Sequence, residues 1–277
     1  MKGYSRKNPM PIEEKGDVQD SLYPIVTGFS QFDSQLGGGL EPGDLMVIGG
    51  RPFAGTTSLA MGIARHNLSE LGVPTLWLSF DMRYDEFMKR FISTVSAIPL
   101  HKYHKFHLLN SEELERLTSV CAQVFKMPFY FEMPLNLEEA VKIIRDHINF
   151  CKDNDGWKEV LVIIDDIDLA VSPRKHVGIP HFLKQTAVNL NVPIIVTSCL
   201  NECPESRRNT RPLISDLGMK DIEEFADIIS LLYRDERYNP YTPNKGFAEI
   251  ILAKNKAGVA STLKLRIDPN TATFNSL

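Results

Sequence analysis

The residues that most clearly predict chemistry are eight consecutive ones, 50–57, with the sequence GRPFAGTT. They follow an apolar stretch (44–50) and lead into one with helical apolar spacing (56–71). Glycines let backbone N–H groups approach a phosphate, and a helix N-terminus adds a favourable partial charge. The spacing is that of the phosphate-loop motif G-x-x-x-x-G-K-[ST], complete except for its lysine. We therefore predict a phosphate-binding loop with the contact residues Gly50, Arg51, Pro52, Gly55, Thr56 and Thr57.

Thr56 takes the place of the lysine in this motif. The lysine ammonium normally lies against the β- and γ-phosphates, whereas threonine offers only a neutral hydroxyl. The exchange removes one charge-assisted contact, worth ~1.5–3 kcal/mol. A glycine-rich turn that binds no ligand is the alternative interpretation of the same residues.

Asp165 is the second candidate for phosphate chemistry. It ends the apolar segment LVIID, as does the aspartate that holds Mg²⁺ beside a phosphate loop. Thr57 occupies the position whose hydroxyl also contacts Mg²⁺ in such loops. We expect Thr57 and Asp165 to form one metal site. An aspartate that simply opens a loop after a strand is the alternative.

Strands and helices alternate along the chain. Apolar strands are predicted at 44–50, 74–80, 128–133, 159–166 and 193–199, and helices at 56–71, 83–98, 110–125, 136–152 and 179–190. Continuous apolar strands separated by helices indicate a parallel sheet covered on both faces. Strands at 227–235, 247–256 and 261–268 follow, and the last two are predicted to form an antiparallel hairpin. The predicted fold class is α/β, a mainly parallel sheet between helices with a C-terminal antiparallel hairpin.

Six further segments carry a specific likeness. They are TGFSQFDSQLGGGLEPGDL (27–45), LSFDM (78–82), NVPIIVTSCLN (191–201), RPLISDL (211–217), ADIISLLYRDERYNP (226–240) and FAEIILAKNKAG (247–258). In this order they resemble the RecA-like motor domain of DnaB-family replicative helicases. That family typically reads close to FSLEM, NVPVIALSQLN, RPMLSDL, ADVIMFIYRDEYYNP and AEIIIAKQRNG at the last five places. The first segment also resembles the KaiC and RadA branches of the RecA superfamily, but YRDERYNP favours the DnaB family.

The resemblance implies a RecA-like P-loop NTPase fold, ATP and Mg²⁺ as cofactors, and ATP-dependent DNA helicase activity in a hexameric ring. It also assigns roles to residues. Asp81 falls on the general base, where the family has glutamate, and Cys199 on a phosphate sensor, where it has glutamine. Lys256 falls on an arginine finger that reaches the neighbouring subunit, and Lys254 matches a lysine of the same motif. The implied catalytic set is Asp81, Asp165, Cys199, Lys254 and Lys256.

These departures predict ATP hydrolysis that is weak or absent. Phosphoryl transfer depends almost wholly on positioning and electrostatics, and an arginine finger alone is worth roughly 10³–10⁵ in rate. Lysine does not replace arginine at a forked contact. Three interpretations stay open: a DNA translocase that forms a homo-oligomer, a non-hydrolysing relative that joins or regulates an authentic helicase ring, and a KaiC/RadA-like regulatory ATPase. The substitutions favour the second.

Contact with DNA would depend on local basic groups, because the net charge is -4 and the sequence pI is about 6.0. The candidate contacts with single-stranded DNA are Arg207, Arg208 and Arg211, in a stretch that faces the central channel in the family. Arg174, Lys175 and His176 form a second candidate group. Solvated loops are the alternative for both groups.

The remaining composition places the chain among cytoplasmic globular proteins. Residues 1–22 are predicted to be a flexible tail and residues 23–277 one RecA-like domain. Four irregularly spaced cysteines fit a reducing cytosol, and no apolar run approaches the ~20 residues of a membrane span. Cys199 and Cys203 lack a second pair of zinc ligands. The histidines of HKYHKFH (101–107) are predicted to lie in a solvated loop rather than to bind metal.

Overall fold

A computed structural model describes residues 24–155, 157, 159–170, 178–200, 207–219 and 221–277. The predicted tail at 1–22, the basic group at 174–176 and Cys203 lie outside the described residues. Within the described part, no helix is both long and apolar enough to cross a lipid bilayer.

One mixed sheet organises the described residues. Its strands are β1 (Leu45–Gly50), β2 (Thr75–Ser79), β3 (Phe129–Glu132), β4 (Leu161–Asp165), β5 (Ile194–Cys199), β6 (Ile228–Tyr233), β7 (Phe247–Asn255), β8 (Ser261–Asp268) and β9 (Thr273–Asn275). Their order across the sheet is β3-β2-β4-β5-β1-β6-β7-β8-β9. The strands from β3 to β6 in this order run parallel, and β7, β8 and β9 each run antiparallel to the strand before. The predicted fold class, with its C-terminal hairpin of β7 and β8, is confirmed.

Helices cover both faces of the sheet. They are α1 (Ser30–Gln35), α2 (Thr56–His66), α3 (Tyr84–Ser96), α4 (Ser111–Val124), α5 (Leu137–Asp155), α6 (Ile179–Leu190) and α7 (Ile222–Phe225). A π-helical turn, Asn67–Leu71, continues α2 to the predicted end of that helix. The start of α4 is fixed by a capping box, in which Asn110 Oδ1 accepts the Glu113 N–H at 2.8 Å.

Strand β1 lies in the middle of the sheet and is buried along its whole length. Met46 and Ile48 pack into the apolar cluster beneath α1 to α4, whereas Leu45 and Val47 pack into the cluster beneath α5 and α6. A strand buried on both faces must be apolar at every position, which explains the unbroken run that the sequence shows. Because β1, β2, β4 and β5 are parallel, their carboxyl ends meet at one edge of the sheet. Ligands of open α/β sheets bind at that edge.

Among the helices and strands given above, α1, α7 and β9 were not predicted. Helix α1 follows a turn in which the Thr27 N–H donates to Asp33 Oδ1 at 2.6 Å. Strand β9 has three residues and pairs with β8 through Ile267 and Phe274. The HKYHKFH segment forms two 3₁₀ turns, Leu100–His104 and Phe106–Leu108, with its three histidines exposed and Tyr103 buried between them.

Candidate functional site

The predicted phosphate loop connects the end of β1 to the start of α2, at the carboxyl edge of the sheet. Gly55 precedes α2 with a φ of 106°, a left-handed conformation that favours glycine. A Cβ at Gly55 would lie 2.9 Å from Phe274 Cζ, and one at Gly50 would lie 2.8 Å from Thr56 Cγ2. A larger residue at either position would therefore clash with its neighbours, and it would also hinder the approach of a phosphate to the backbone.

Thr57 and Asp165 lie in contact, as their motif positions predict. Thr57 Oγ1 donates to Asp165 Oδ1 at 3.0 Å, and Thr197 Oγ1 donates to the same oxygen at 2.7 Å. Asp165 Oδ2 is buried and has no hydrogen-bond partner among the described residues. A buried carboxylate oxygen without a partner, next to a threonine hydroxyl, is a donor set that suits Mg²⁺. The residues present therefore fit the expected metal.

Burial, and then the neighbouring Asp166 carboxylate, raises the pKa of Asp165 to about 7, although hydrogen bonds from Thr197 and Thr57 oppose the shift. Burial followed by the Asp81 and Asp168 carboxylates also raises the pKa of Asp166. This edge of the sheet thus collects negative charge. A cation bound there would stabilise the ionised carboxylates.

Asp81 and Cys199 lie at the same edge. Asp81 follows β2 and is exposed. Cys199 ends β5, where its N–H donates to Asp168 Oδ2 at 2.7 Å. Burial, followed by the Asp166 and Asp168 carboxylates, raises the pKa of Cys199 to about 11. The side chain is therefore a neutral thiol at pH 7, a weak hydrogen-bond donor compared with an amide.

Lys254 and Lys256 lie at the opposite edge of the sheet, because β7 runs antiparallel to β6. Lys256 Nζ forms ion pairs of 2.6 Å with Glu41 and with Asp44, the residue that precedes β1. Lys254 Nζ donates to the Glu223 carbonyl at 2.6 Å. The length of β1, at ~3.3 Å per residue, separates both lysines from the phosphate loop of their own chain.

Two of the three arginines predicted to contact DNA bind carboxylates of the chain. Arg207 forms two hydrogen bonds to Asp216, of 2.5 and 2.6 Å. Arg211 forms two to Glu249, of 2.7 and 2.8 Å, and its guanidinium lies 5.0 Å from the centre of the Tyr233 ring. Arg208 is exposed. The forked pairs fix the shape of this loop.

Comparison with known proteins assigns the family. Residues 24–276 match the family model described as DnaB-like helicase C terminal domain. This chain belongs to that family. A Replicative DNA helicase DnaB of Buchnera aphidicola subsp. Baizongia pistaciae is 31% identical over 261 residues, covering 91% of this chain and 55% of the relative. The Replicative DNA helicase DnaB of Leifsonia xyli subsp. xyli is 30% identical over 262 residues, covering 92% of this chain and 56% of the relative. The chain thus spans about half the length of these curated relatives.

Solved structures of the DnaB-like helicase type agree with the fold. One, titled as a DnaB-like replicative helicase and its interactions with primase, is 27% identical with a TM-score of 0.84, covering 94% of this chain and 63% of that chain. A solved ATPase domain is 26% identical with a TM-score of 0.84, covering 94% of this chain and 93% of that chain. The RecA-like architecture of this chain is therefore that of a DnaB-type ATPase domain.

Sequence reasoning missed several residues of this edge. The Thr197 hydroxyl donates to Asp165 Oδ1, the same oxygen that accepts from Thr57. Asp168 accepts the backbone N–H of Cys199 at the end of β5. Thr197 stands within the predicted strand 193–199 and Asp168 just after the predicted strand 159–166, yet neither has a motif position. Phe274, which lies under Gly55, comes from β9, a strand with no periodic apolar pattern.

Proposed function

We propose that this chain binds ATP with Mg²⁺ at the carboxyl edge of its sheet and hydrolyses it weakly or not at all. The contact between Thr57 and Asp165, beside a phosphate loop with both glycines in place, carries the proposal. The loop and the N-terminus of α2 would hold the phosphates, and Thr57 with Asp165 would hold the metal. As a member of this family, the chain would act in DNA replication in the cytoplasm.

Weak hydrolysis is proposed because charge is missing around the γ-phosphate. Thr56 supplies no ammonium group, and Cys199 supplies a neutral thiol in place of an amide. Asp81 is one methylene shorter than the glutamate of the family pattern, and a displacement of ~1 Å can cost on the order of 10²-fold in rate. The positions of Asp81 and Cys199 act mainly where charge develops during the reaction, so these two substitutions would lower turnover more than binding.

The positions of Lys254 and Lys256 support assembly into a homo-oligomer, such as a hexameric ring. Because both lie at the edge opposite the phosphate loop, they could serve only the site of a neighbouring copy. Single-stranded DNA would then pass the loop that carries Arg208, whose charge is exposed. Arg207 and Arg211 would position this loop through their ion pairs with Asp216 and Glu249.

A second candidate function is that of a non-catalytic partner in a ring with an authentic helicase. The pairing of Lys256 with Glu41 and Asp44 favours it, because a lysine held by its own chain does not reach across an interface. In this case the chain would form interfaces with neighbouring subunits of the ring but would not supply the arginine-finger group to the neighbouring site. Membership of the DnaB-like family favours both of these candidates over the KaiC/RadA-like interpretation.

Titration with a fluorescent ATP analogue, with and without Mg²⁺, tests the main proposal. We expect saturable binding that Mg²⁺ strengthens, and loss of the Mg²⁺ effect in Asp165→Asn. Asp146→Asn makes the same chemical change at an exposed position of α5 and is the matched control. An unchanged Mg²⁺ effect in Asp165→Asn would contradict the metal site, and absence of any binding would contradict the proposal as a whole.

Native mass spectrometry distinguishes the two assemblies. The chain alone, with nucleotide and Mg²⁺, should form a closed ring if the first candidate is correct. Mixed rings that appear only when an authentic DnaB-type helicase is added would favour the second. A monomer under both conditions would exclude both assemblies.

A further inference from the structure

An exposed aromatic side chain stands at the tip of the phosphate loop. Phe53 is 83% exposed and has a φ of 65°, in the left-handed region that non-glycine residues rarely adopt. A phenylalanine that is mostly in solvent contributes little to the core, so packing does not explain it. Its neighbours across the loop are two arginines.

Arg234 and Arg237 reach the loop from the segment after β6. Strand β6 pairs with β1 up to Gly50 and Leu232, so this segment leaves the sheet beside the phosphate loop. Arg234 Nη1 donates to the Phe53 carbonyl at 3.5 Å. The Arg237 guanidinium carbon lies 5.6 Å from the centre of the Phe53 ring.

The two arginines differ in whether their charge is free to bind a ligand. Arg234 forms an ion pair with Glu236 and is partly buried. Arg237 is exposed and forms no ion pair with any of the described residues. The aromatic face is a favourable resting place for such a cation. A positive charge that forms no ion pair within the described residues therefore lies at the rim of a phosphate loop in which Thr56 replaces the lysine.

We propose that Arg237 binds the phosphates of the nucleotide and supplies the charge that Thr56 lacks. A guanidinium binds phosphate oxygens through a fork of two N–H donors, which an ammonium cannot do. The Phe53 ring holds Arg237 beside the loop before the nucleotide arrives, so less side-chain freedom is lost on binding. This inference rests on the proposed nucleotide binding. Arg237 lies outside the phosphate-loop motif, and the family pattern YRDEYYNP has tyrosine at its position.

The test compares nucleotides with different numbers of phosphates on Arg237→Gln. ATP, ADP and adenosine would each displace a fluorescent ATP analogue from the wild type and the variant. Loss of one charge-assisted contact should weaken ATP binding roughly 10–150-fold, whereas adenosine binding should not change. Arg116→Gln removes an exposed arginine from α4 and is the matched control. Circular dichroism of both variants checks the fold.

Combination with Thr56→Lys separates charge replacement from a structural effect. The lysine should improve ATP binding more in the Arg237→Gln background than in the wild type, because only there are the lysine charge and the Arg237 charge both absent. Equal gains in both backgrounds, or wild-type ATP affinity in Arg237→Gln, would overturn the role of Arg237 and leave the proposed nucleotide site intact. Failure of the wild-type chain to bind any of the three probes would overturn both.

Discussion

Replacement of Thr56 by lysine should restore nucleotide affinity. Thr56 is the first residue of α2, with both glycines of the loop in place before it and with Thr57 in contact with Asp165 behind it. The added ammonium group would lie where the motif places it, against the β- and γ-phosphates. One charge-assisted contact is worth ~1.5–3 kcal/mol, which corresponds to roughly 10–150-fold in Kd. This is the gain expected when Arg237 is replaced by glutamine, and a smaller gain is expected in the wild type.

The measurement is a titration with a fluorescent ATP analogue in the presence of Mg²⁺. Thr56→Met provides the length of lysine without its charge, and Thr118→Lys provides the charge on the remote helix α4. Only Thr56→Lys should tighten binding. Turnover should stay low because Asp81, Cys199 and Lys256 are unchanged. If Thr56→Lys improves binding neither in the wild type nor in the Arg237→Gln background, the loop does not form a phosphate cradle and the reasoning is refuted.

Three further outcomes are expected. Steady-state ATP turnover with single-stranded DNA should stay below ~1 s⁻¹, the low end of common enzyme rates, and a faster rate in a coupled assay would contradict weak hydrolysis. Because the carboxyl of Asp165 holds its proton to about pH 7 when folded and to about 3.8 when unfolded, its contribution to stability falls as pH rises through that window. Between pH 4 and pH 7, the melting temperature measured without nucleotide should therefore fall by fewer degrees for Asp165→Asn than for the wild type. Parallel plots of melting temperature against pH for the two proteins would contradict this prediction. Gly55→Ala should lower the free energy of unfolding by ~1–3 kcal/mol more than Gly178→Ala does, as measured by urea unfolding. Although φ is positive at both glycines, only a Cβ at Gly55 would meet Phe274. Equal losses in the two variants would exclude this contact as the cause.

The elements that hold the site could be predicted because each has a local signal. The apolar runs that end at Gly50 and Asp165 gave β1 and β4, and the capping box at Asn110 marked the start of α4. The glycine spacing of the loop placed Thr57 at the start of α2. Parallel order alone then brings the ends of these strands to one edge, so the meeting of Thr57 with Asp165 follows from the pattern.

The remaining contacts depend on register and on distant parts of the chain. Thr197 reaches Asp165 because Ile164 of β4 pairs with Val196 of β5. The local sequence does not predict this register between two strands. The pairing of Arg211 with Glu249 also joins distant parts of the chain, so sequence alone did not show that this arginine binds a carboxylate. Composition predicts how many charges a loop has, but only the fold shows which of them already have a partner.

The contact of Gly55 with Phe274 has a consequence for how the site is assembled. The phosphate loop stands near the beginning of the described chain, while the ring that supports it comes from β9, close to the end. Contacts between residues so far apart in sequence cost more chain entropy to close than local contacts do. Although the motif residues are consecutive in sequence, we expect the loop to reach its final shape only when β9 joins the sheet. A short edge strand is also an element that opens readily in the native state, so detachment of β9 would release the loop without unfolding β1 or α2. Phosphate binding should in turn protect the amides of β9 from hydrogen exchange.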